Sequence, residues 1–129
     1  MTWIALALLG CGRLVAPPQP LQASPIQIQQ VVFSHDNGHV TAALTIGNPS
    51  RTDTTIDDVM GAILIADQTL GEFRVTPEKM IPAGEDATIL LTVPGAIPLD
   101  TQALRLRGAL HLAGEPIWIS FAKMGDVLP

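Results

Sequence analysis

The sequence predicts an all-β protein, a seven-stranded antiparallel β-sandwich that follows an N-terminal signal segment. Three observations favour this fold class. Apolar and polar residues alternate with a period of two through most of residues 26–129, as in half-buried strands. Turn-forming residues separate these stretches at short intervals. Eleven glycines and eleven prolines among 129 residues argue against long helices.

Composition limits the chain to one domain and excludes several classes of protein. The chain has 129 residues, of which 47% are apolar and 15% charged, so it is neither disordered nor long enough for two typical domains. The net charge is −5, and the seven Lys and Arg residues are scattered, which excludes the clustered bases of a nucleic-acid-binding surface. A single cysteine excludes an internal disulfide framework and a multi-cysteine zinc site.

The first ten residues have the features of a secretory signal. The apolar run at 3–9 is too short to span a bilayer but has the length of a signal h-region. The junction Leu8-Leu9-Gly10-Cys11 resembles a bacterial lipobox, which implies that residues 1–10 are removed and that Cys11 carries lipid. The alternatives are an ordinary signal peptide and an apolar N-terminus with a buried cysteine.

Residues 11–25 are expected to form the lipidated Cys11 and a tether. Four prolines and three glutamines lie within 14–25, and proline-rich segments are extended and semi-rigid. Gly12 follows the cysteine where an aspartate would favour retention at the inner membrane, so the outer membrane is favoured. The predicted location is therefore the bacterial envelope, with the domain facing the periplasm.

The remaining residues, 26–129, are expected to fold as the sandwich. Strands are predicted at 26–34 and 39–47, joined by a tight Asn37-Gly38 turn and ended by Asn48-Pro49. Further strands are predicted at 56–66, 68–75, 87–93, 103–112 and from residue 117 onward, with a bulge or bend at Gly61. Seven short alternating strands are typical of an immunoglobulin-like or fibronectin-III-like sandwich.

The order of several short segments resembles the late embryogenesis abundant type-2 family, also called the WHy (water stress and hypersensitive response) domain. The similar segments are Leu44 to Ser50, Ile56 to Val59 with the strand after it, Gly71, Pro82 to Gly84 ahead of Ala87 to Val93, and Ile119 to Pro129 with Gly125. The resemblance covers residues 26–129.

This resemblance implies a β-sandwich without catalytic residues and an association with desiccation and stress tolerance. It also implies that Asn48 and Pro49 are structural, as a turn and a strand terminator. The expected function is that of a non-enzymatic, lipid-anchored envelope protein, stress-protective or protein-interacting, without a cofactor or small-molecule substrate. The alternative is a small lipoprotein subunit or assembly factor that binds a protein partner at a sheet edge. An enzyme or carbohydrate-binding domain is the third hypothesis.

Few side chains suggest a site. His35 and His39 flank the first turn and are predicted either to face each other as a surface metal site, with Asp36, or to form a solvated hairpin tip. Adjacent acids at 57 and 58 are expected on opposite faces of a strand, which excludes a paired-carboxylate site. His111 is interpreted as part of an exposed polar face or as an anion site, and Trp118 as packing under a loop or as a stacking platform for sugars or a partner.

Overall fold

The computed structural model describes residues 26–129, and these form eight β-strands. The strands are β1 (Gln27–Asp36), β2 (His39–Gly47), β3 (Thr54–Ile65), β4 (Gln68–Val75), β5 (Lys79–Ile81), β6 (Asp86–Pro94), β7 (Ala103–Leu112) and β8 (Trp118–Val127). The all-β class predicted from the alternating pattern is confirmed. No helix long and apolar enough to cross a membrane occurs among residues 26–129.

All eight strands belong to one sheet that nearly closes into a barrel. The strand order is β4-β3-β7-β8-β1-β2-β6, and β5 pairs with β3 beside β4. Every pairing is antiparallel except that of β1 with β8, which is parallel and covers only two residue pairs, Val32 with Asp126 and Phe33 with Val127. The first and last strands of the chain therefore meet in the middle of this order, and the near closure lies between the edge strands β4 and β6.

The core lies inside this curved sheet and is built from the inward side chains of each strand. On β2 the alternation is complete, because Val40, Ala42, Leu44 and Ile46 are all fully buried. The same pattern on β7 buries four leucines and leaves the arginines on the outer face. The fully buried side chains of largest volume include Phe33, Leu44, Ile46, Ile56, Ile63, Ile81, Leu91, Leu104, Leu106 and Leu110.

The strand count and the uniformly antiparallel topology are corrected by the structure. The additional strand is β5, which pairs with Thr54–Ile56 and buries Ile81. The three residues of β5, which lies between Pro77 and Pro82, are too few to show an alternating pattern. The parallel contact of β1 with β8 joins residues about a hundred positions apart, and local patterning does not reveal such pairings.

Glycine 61 is not the bulge expected from the sequence, because the register of β3 is regular there. Gly61 pairs with Gly108 of β7, and a Cβ added to Gly61 would meet the Arg107 carbonyl oxygen and lie 2.6 Å from the Gly108 Cα. The glycine is thus required by the close approach of two strands. A bulge of β1 instead falls at Gln29, and it changes which side chains of that strand face the core.

Candidate functional site

Five polar and aromatic side chains meet on the outer face of β3, β4, β7 and β8, and we call them the Trp118 cluster. Asp57 and Asp58 come from β3, Arg74 from β4, His111 from β7 and Trp118 from β8. Two pairs in the cluster are each at 2.7 Å: the ion pair of Arg74 with Asp58 Oδ2, and His111 Nδ1 with Asp57 Oδ1, which is an ion pair when His111 is protonated. It therefore links four neighbouring strands. The cluster lies at the end of the folded body, residues 26–129, where β8 begins.

Trp118 contacts both His111 and Arg74. Its ring centroid lies 5.3 Å from that of His111, with the rings tilted by 50°. The Arg74 guanidinium carbon lies 5.9 Å from the Trp118 ring centroid, within cation–π range. Since Trp118 is also 37% exposed, it packs against its neighbours while part of the ring still reaches solvent.

The expectation that the adjacent acids point to opposite faces is wrong, and a bulge is the reason. In the β3–β7 pairing, Ile56 lies opposite Leu112 and Asp58 lies opposite His111, so Asp57 is an extra residue without a partner in the register. The bulge brings both carboxylates into the same outer cluster. Each acid there has its own partner, His111 for Asp57 and Arg74 for Asp58.

The electrostatics of the cluster favour the charged forms of its cations. The hydrogen bond from His111 to Asp57 raises the pKa of His111 above its ordinary value of 6.5, against the opposing effect of partial burial. The hydrogen bond to Asp58 likewise raises the pKa of Arg74. The other oxygen of Asp58, Oδ1, is buried without a hydrogen-bond partner, so this carboxylate is held chiefly by Arg74.

We expect the Asp57–His111 pair to give the protein a pH-dependent stability. A folded-state pKa above the unfolded value of 6.5 means that the stabilisation is complete below pH 6.5 and is lost as the pH rises through the raised pKa of the folded state. Asp57→Asn should therefore flatten the decrease in unfolding free energy just above pH 6.5. Urea unfolding at a series of pH values measures this, with Asp67→Asn in an exposed turn as control; equal pH dependence in the two variants and the parent would contradict the assignment.

A second feature at the same end of the body is the part of β8 that precedes its pairing with β1. Trp118–Asp126 pairs with β7 on one side, whereas β1 pairs with the other side only at Asp126 and Val127. Within residues 26–129, no strand pairs with 118–125 on the side away from β7. The backbone groups on that side form an open strand edge next to the Trp118 cluster.

The predicted histidine pair is not brought together. His35 pairs with Val40 and His39 pairs with Asp36, so the alternation of the hairpin sends the two histidines to opposite faces. His39 Nδ1 lies 3.2 Å from the carbonyl oxygen of Asn37. In the described part of the chain, no three His, Cys, Asp or Glu side chains are grouped closely enough to hold a metal ion. The expectation that the histidines face each other is therefore wrong.

The segment after β2 is organised by the buried side chain of Asn48. Its Nδ2 donates hydrogen bonds to the carbonyl oxygens of Thr52 and Ile81, each at 2.9 Å. Its Oδ1 accepts from the backbone N–H of Ser50 at 3.1 Å and from the Ser50 hydroxyl at 2.7 Å. Asn48 thus uses its full side-chain hydrogen-bonding capacity to join the turn to β5, with Pro49 following directly. The predicted lipid-bearing residue, Cys11, lies outside the described residues.

Sequence reasoning did not find the Trp118 cluster, although one signal was present. The short connection 113–117 joins β7 to β8 as a hairpin and places His111 directly opposite Trp118. That hairpin register was accessible from the sequence. The contributions of Asp57 and Arg74 were not, because they depend on the bulge in β3 and on the order of strands across the sheet.

Residues 26–129 form an all-β domain whose sheet nearly closes on itself. Comparison with known proteins supports this fold and does not extend to a function. No family model and no curated protein matches the sequence. The X-ray structure of SoR45, a Northeast Structural Genomics Consortium target, is similar with a TM-score of 0.56 and 13% identity over 81% of this chain and 87% of that one.

Two further structures have lower scores. The sporulation control protein Spo0M from Bacillus subtilis has a TM-score of 0.49 and 16% identity, over 83% of this chain and 51% of its own. A DUF3823 family protein from Bacteroides ovatus has a TM-score of 0.46 and 11% identity, over 95% of this chain and 62% of its own. At these identities the likeness concerns the fold, and it is the match to SoR45 that supports it.

Proposed function

We propose that the chain is a non-enzymatic, lipid-anchored β-domain of the bacterial envelope that binds another protein along the open edge of β8. The observation that carries this proposal is the part of β8 at residues 118–124, which has a strand partner on one side only within the described residues. An extended segment of a partner can add to such an edge through main-chain hydrogen bonds.

The side chains along this edge suit a partner better than they suit solvent. Natural edge strands are commonly protected by charged residues or prolines, but residues 117–122 contain neither. Ile117 is 68% exposed and precedes Trp118 at the start of the strand. Ile119 and Phe121 are only partly buried against the core. A strand added here would satisfy the free backbone groups and cover these apolar side chains together.

Site-specific photo-crosslinking in living cells tests this proposal. A photoreactive residue in place of Ser120, which is exposed on β8, should form a discrete covalent adduct with one other envelope protein. The matched control is Thr45 on β2, a strand paired on both sides. Adducts of equal yield at both positions, or none at position 120, would contradict binding at the β8 edge.

The proposed anchor is Cys11, and its position is consistent with binding close to the membrane. Because β1 and β8 run parallel where they meet, the start of β8 lies at the same end of the body as the start of β1. The proposed tether of residues 11–25 leads into that end. The β8 edge would then face the membrane-proximal side of the domain.

Metabolic labelling with a radioactive fatty acid tests the anchor. The parent chain should incorporate the label and sediment with membranes, and Cys11→Ser should lose both properties, since the thiol is the site of attachment. Absence of label from the parent would contradict the lipid anchor without affecting the proposal for β8.

The resemblance to the late embryogenesis abundant type-2 family supports a protective role in water stress for this binding. It also supports an immunoglobulin- or fibronectin-III-like sandwich, in which β8 passes from a sheet containing β3 and β7 to one containing β1 and β2.

A drying assay tests the protective role: the purified chain should preserve the activity of a test enzyme through dehydration better than an equal mass of serum albumin. Equal preservation of enzyme activity by the chain and by serum albumin would contradict a protective role.

A further inference from the structure

The end of the body farthest from the proposed tether contains an apolar cleft of about 440 Å³. The loop 95–102, which connects β6 to β7, forms one wall, and the end of β8 with the residues after it forms the other. His35 of β1 closes one side. Since β1 runs for ten residues from its start to this end, the cleft lies roughly 30 Å from Ile26. We call it the distal cleft.

Hydrogen bonds hold both walls of the distal cleft in place. Val127 N–H donates to the Gln102 carbonyl at 2.9 Å, and Leu128 N–H donates to the Phe33 carbonyl at 2.8 Å. The loop itself is turned by the bond from Thr101 N–H to the Pro98 carbonyl at 3.0 Å. The cleft is therefore formed before any partner arrives, which reduces the entropy cost of binding.

Most of the side chains that line the cleft are apolar, and two of them are open to solvent. Ile97 is buried and packs with the core, whereas Leu99 is fully exposed and Leu128 is 50% exposed. Two exposed leucines beside a preformed concavity of this volume leave room for one or two large apolar side chains of a partner. Covering them would remove apolar area from water and so favour binding.

The charge around the cleft indicates what kind of partner fits. Asp100 is exposed in the loop that forms one wall, whereas the exposed Asp36 and Asp126 lie on the outer face of the sheet, next in sequence to lining residues. No Lys or Arg lines the cleft or adjoins a lining residue in sequence. An anionic lipid surface and a second copy of this acidic chain, with a net charge of −5, would both be repelled. A cationic segment would be attracted.

We propose that the distal cleft binds a protein segment in which one or two large apolar residues are flanked by Lys or Arg. This is a second interaction surface, separate from the β8 edge. Only its orientation away from the membrane rests on the proposed lipid anchor. The apolar residues would enter between Leu99 and Leu128, and a flanking cation would lie near Asp100.

Fluorescence anisotropy with labelled hexapeptides and the complete purified chain tests the proposal. Lys-Lys-Leu-Phe-Lys-Lys should bind, and binding should weaken as salt rises because the attraction is screened. Glu-Glu-Leu-Phe-Glu-Glu and Lys-Lys-Ser-Ser-Lys-Lys should not bind, since each lacks one of the two required features. Leu99→Ser should weaken binding of the first peptide by roughly tenfold.

The matched control is Leu90→Ser, which removes an exposed leucine on the outer face of β6 and should leave peptide binding unchanged. Ser120→Lys on the β8 edge should also leave it unchanged, which separates this proposal from the one for β8. The proposal is overturned if no peptide binds, if the acidic peptide binds as well as the basic one, or if Leu99→Ser binds like the parent. Binding to vesicles of anionic lipid in preference to the peptide, or a dimer that Leu99→Ser abolishes, would also overturn it.

Discussion

Replacing Asn48 by Asp is expected to lower the free energy of unfolding by about 3 kcal/mol or more, because it leaves buried carbonyl groups facing a carboxylate. In the native protein, Nδ2 of Asn48 donates to the carbonyl oxygens of Thr52 and Ile81. The side chain is 1% exposed, so water cannot replace the lost donors. Chemical denaturation followed by circular dichroism measures the change.

The control for this variant makes the same chemical change in a turn. Asn37→Asp lies at the β1–β2 hairpin, where φ is +51°, a conformation that aspartate tolerates. We expect a change of less than about 0.5 kcal/mol there. If both variants lose the same stability, the network around Asn48 does not have the role assigned to it.

Replacing Gly125 by Val is expected to destabilise the protein by about 3 kcal/mol, because it forces β8 away from β1. A Cβ added to Gly125 would meet the carbonyl oxygen of Val31 and lie 2.6 Å from its Cγ1 atom. Only glycine allows β8 to pass this close to β1, just ahead of their parallel pairing. The same denaturation experiment measures the effect.

Ala122→Val is the control for Gly125→Val, since Ala122 is exposed on the same strand. It should change the unfolding free energy by less than about 0.5 kcal/mol. Comparable stability of the two variants would mean that β1 and β8 leave room for a side chain at position 125, which would contradict the close approach of the two strands.

Local alternation predicted most of the strands because it reports burial on one face. The four apolar residues of β2 and the four leucines of β7 are buried as their spacing requires. The pattern failed where the backbone departs from regular pairing, as at Gln29 in β1 and Asp57 in β3. A bulge adds one residue to a strand and leaves no mark in the composition around it.

The candidate sites were less accessible from the sequence because each depends on contacts between distant segments. The partner of His111 is 54 positions away, and Arg74 reaches Trp118 across two intervening strands. The open edge of β8 follows from a parallel contact with β1 that covers only two residue pairs. The distal cleft likewise requires the loop 95–102 and residues 127–129 to meet. No local period encodes any of these contacts.

Residue-resolved amide hydrogen exchange on the complete chain tests the central claim, that residues 118–124 of β8 form an open strand edge. Along 118–124, amides that point toward β7 should exchange slowly, and the alternating amides that point away should exchange faster by orders of magnitude, because only the first set is hydrogen-bonded within the sheet. Uniformly slow exchange along the segment would contradict the account, since it would mean that another part of the chain already covers the edge on which the proposed function depends.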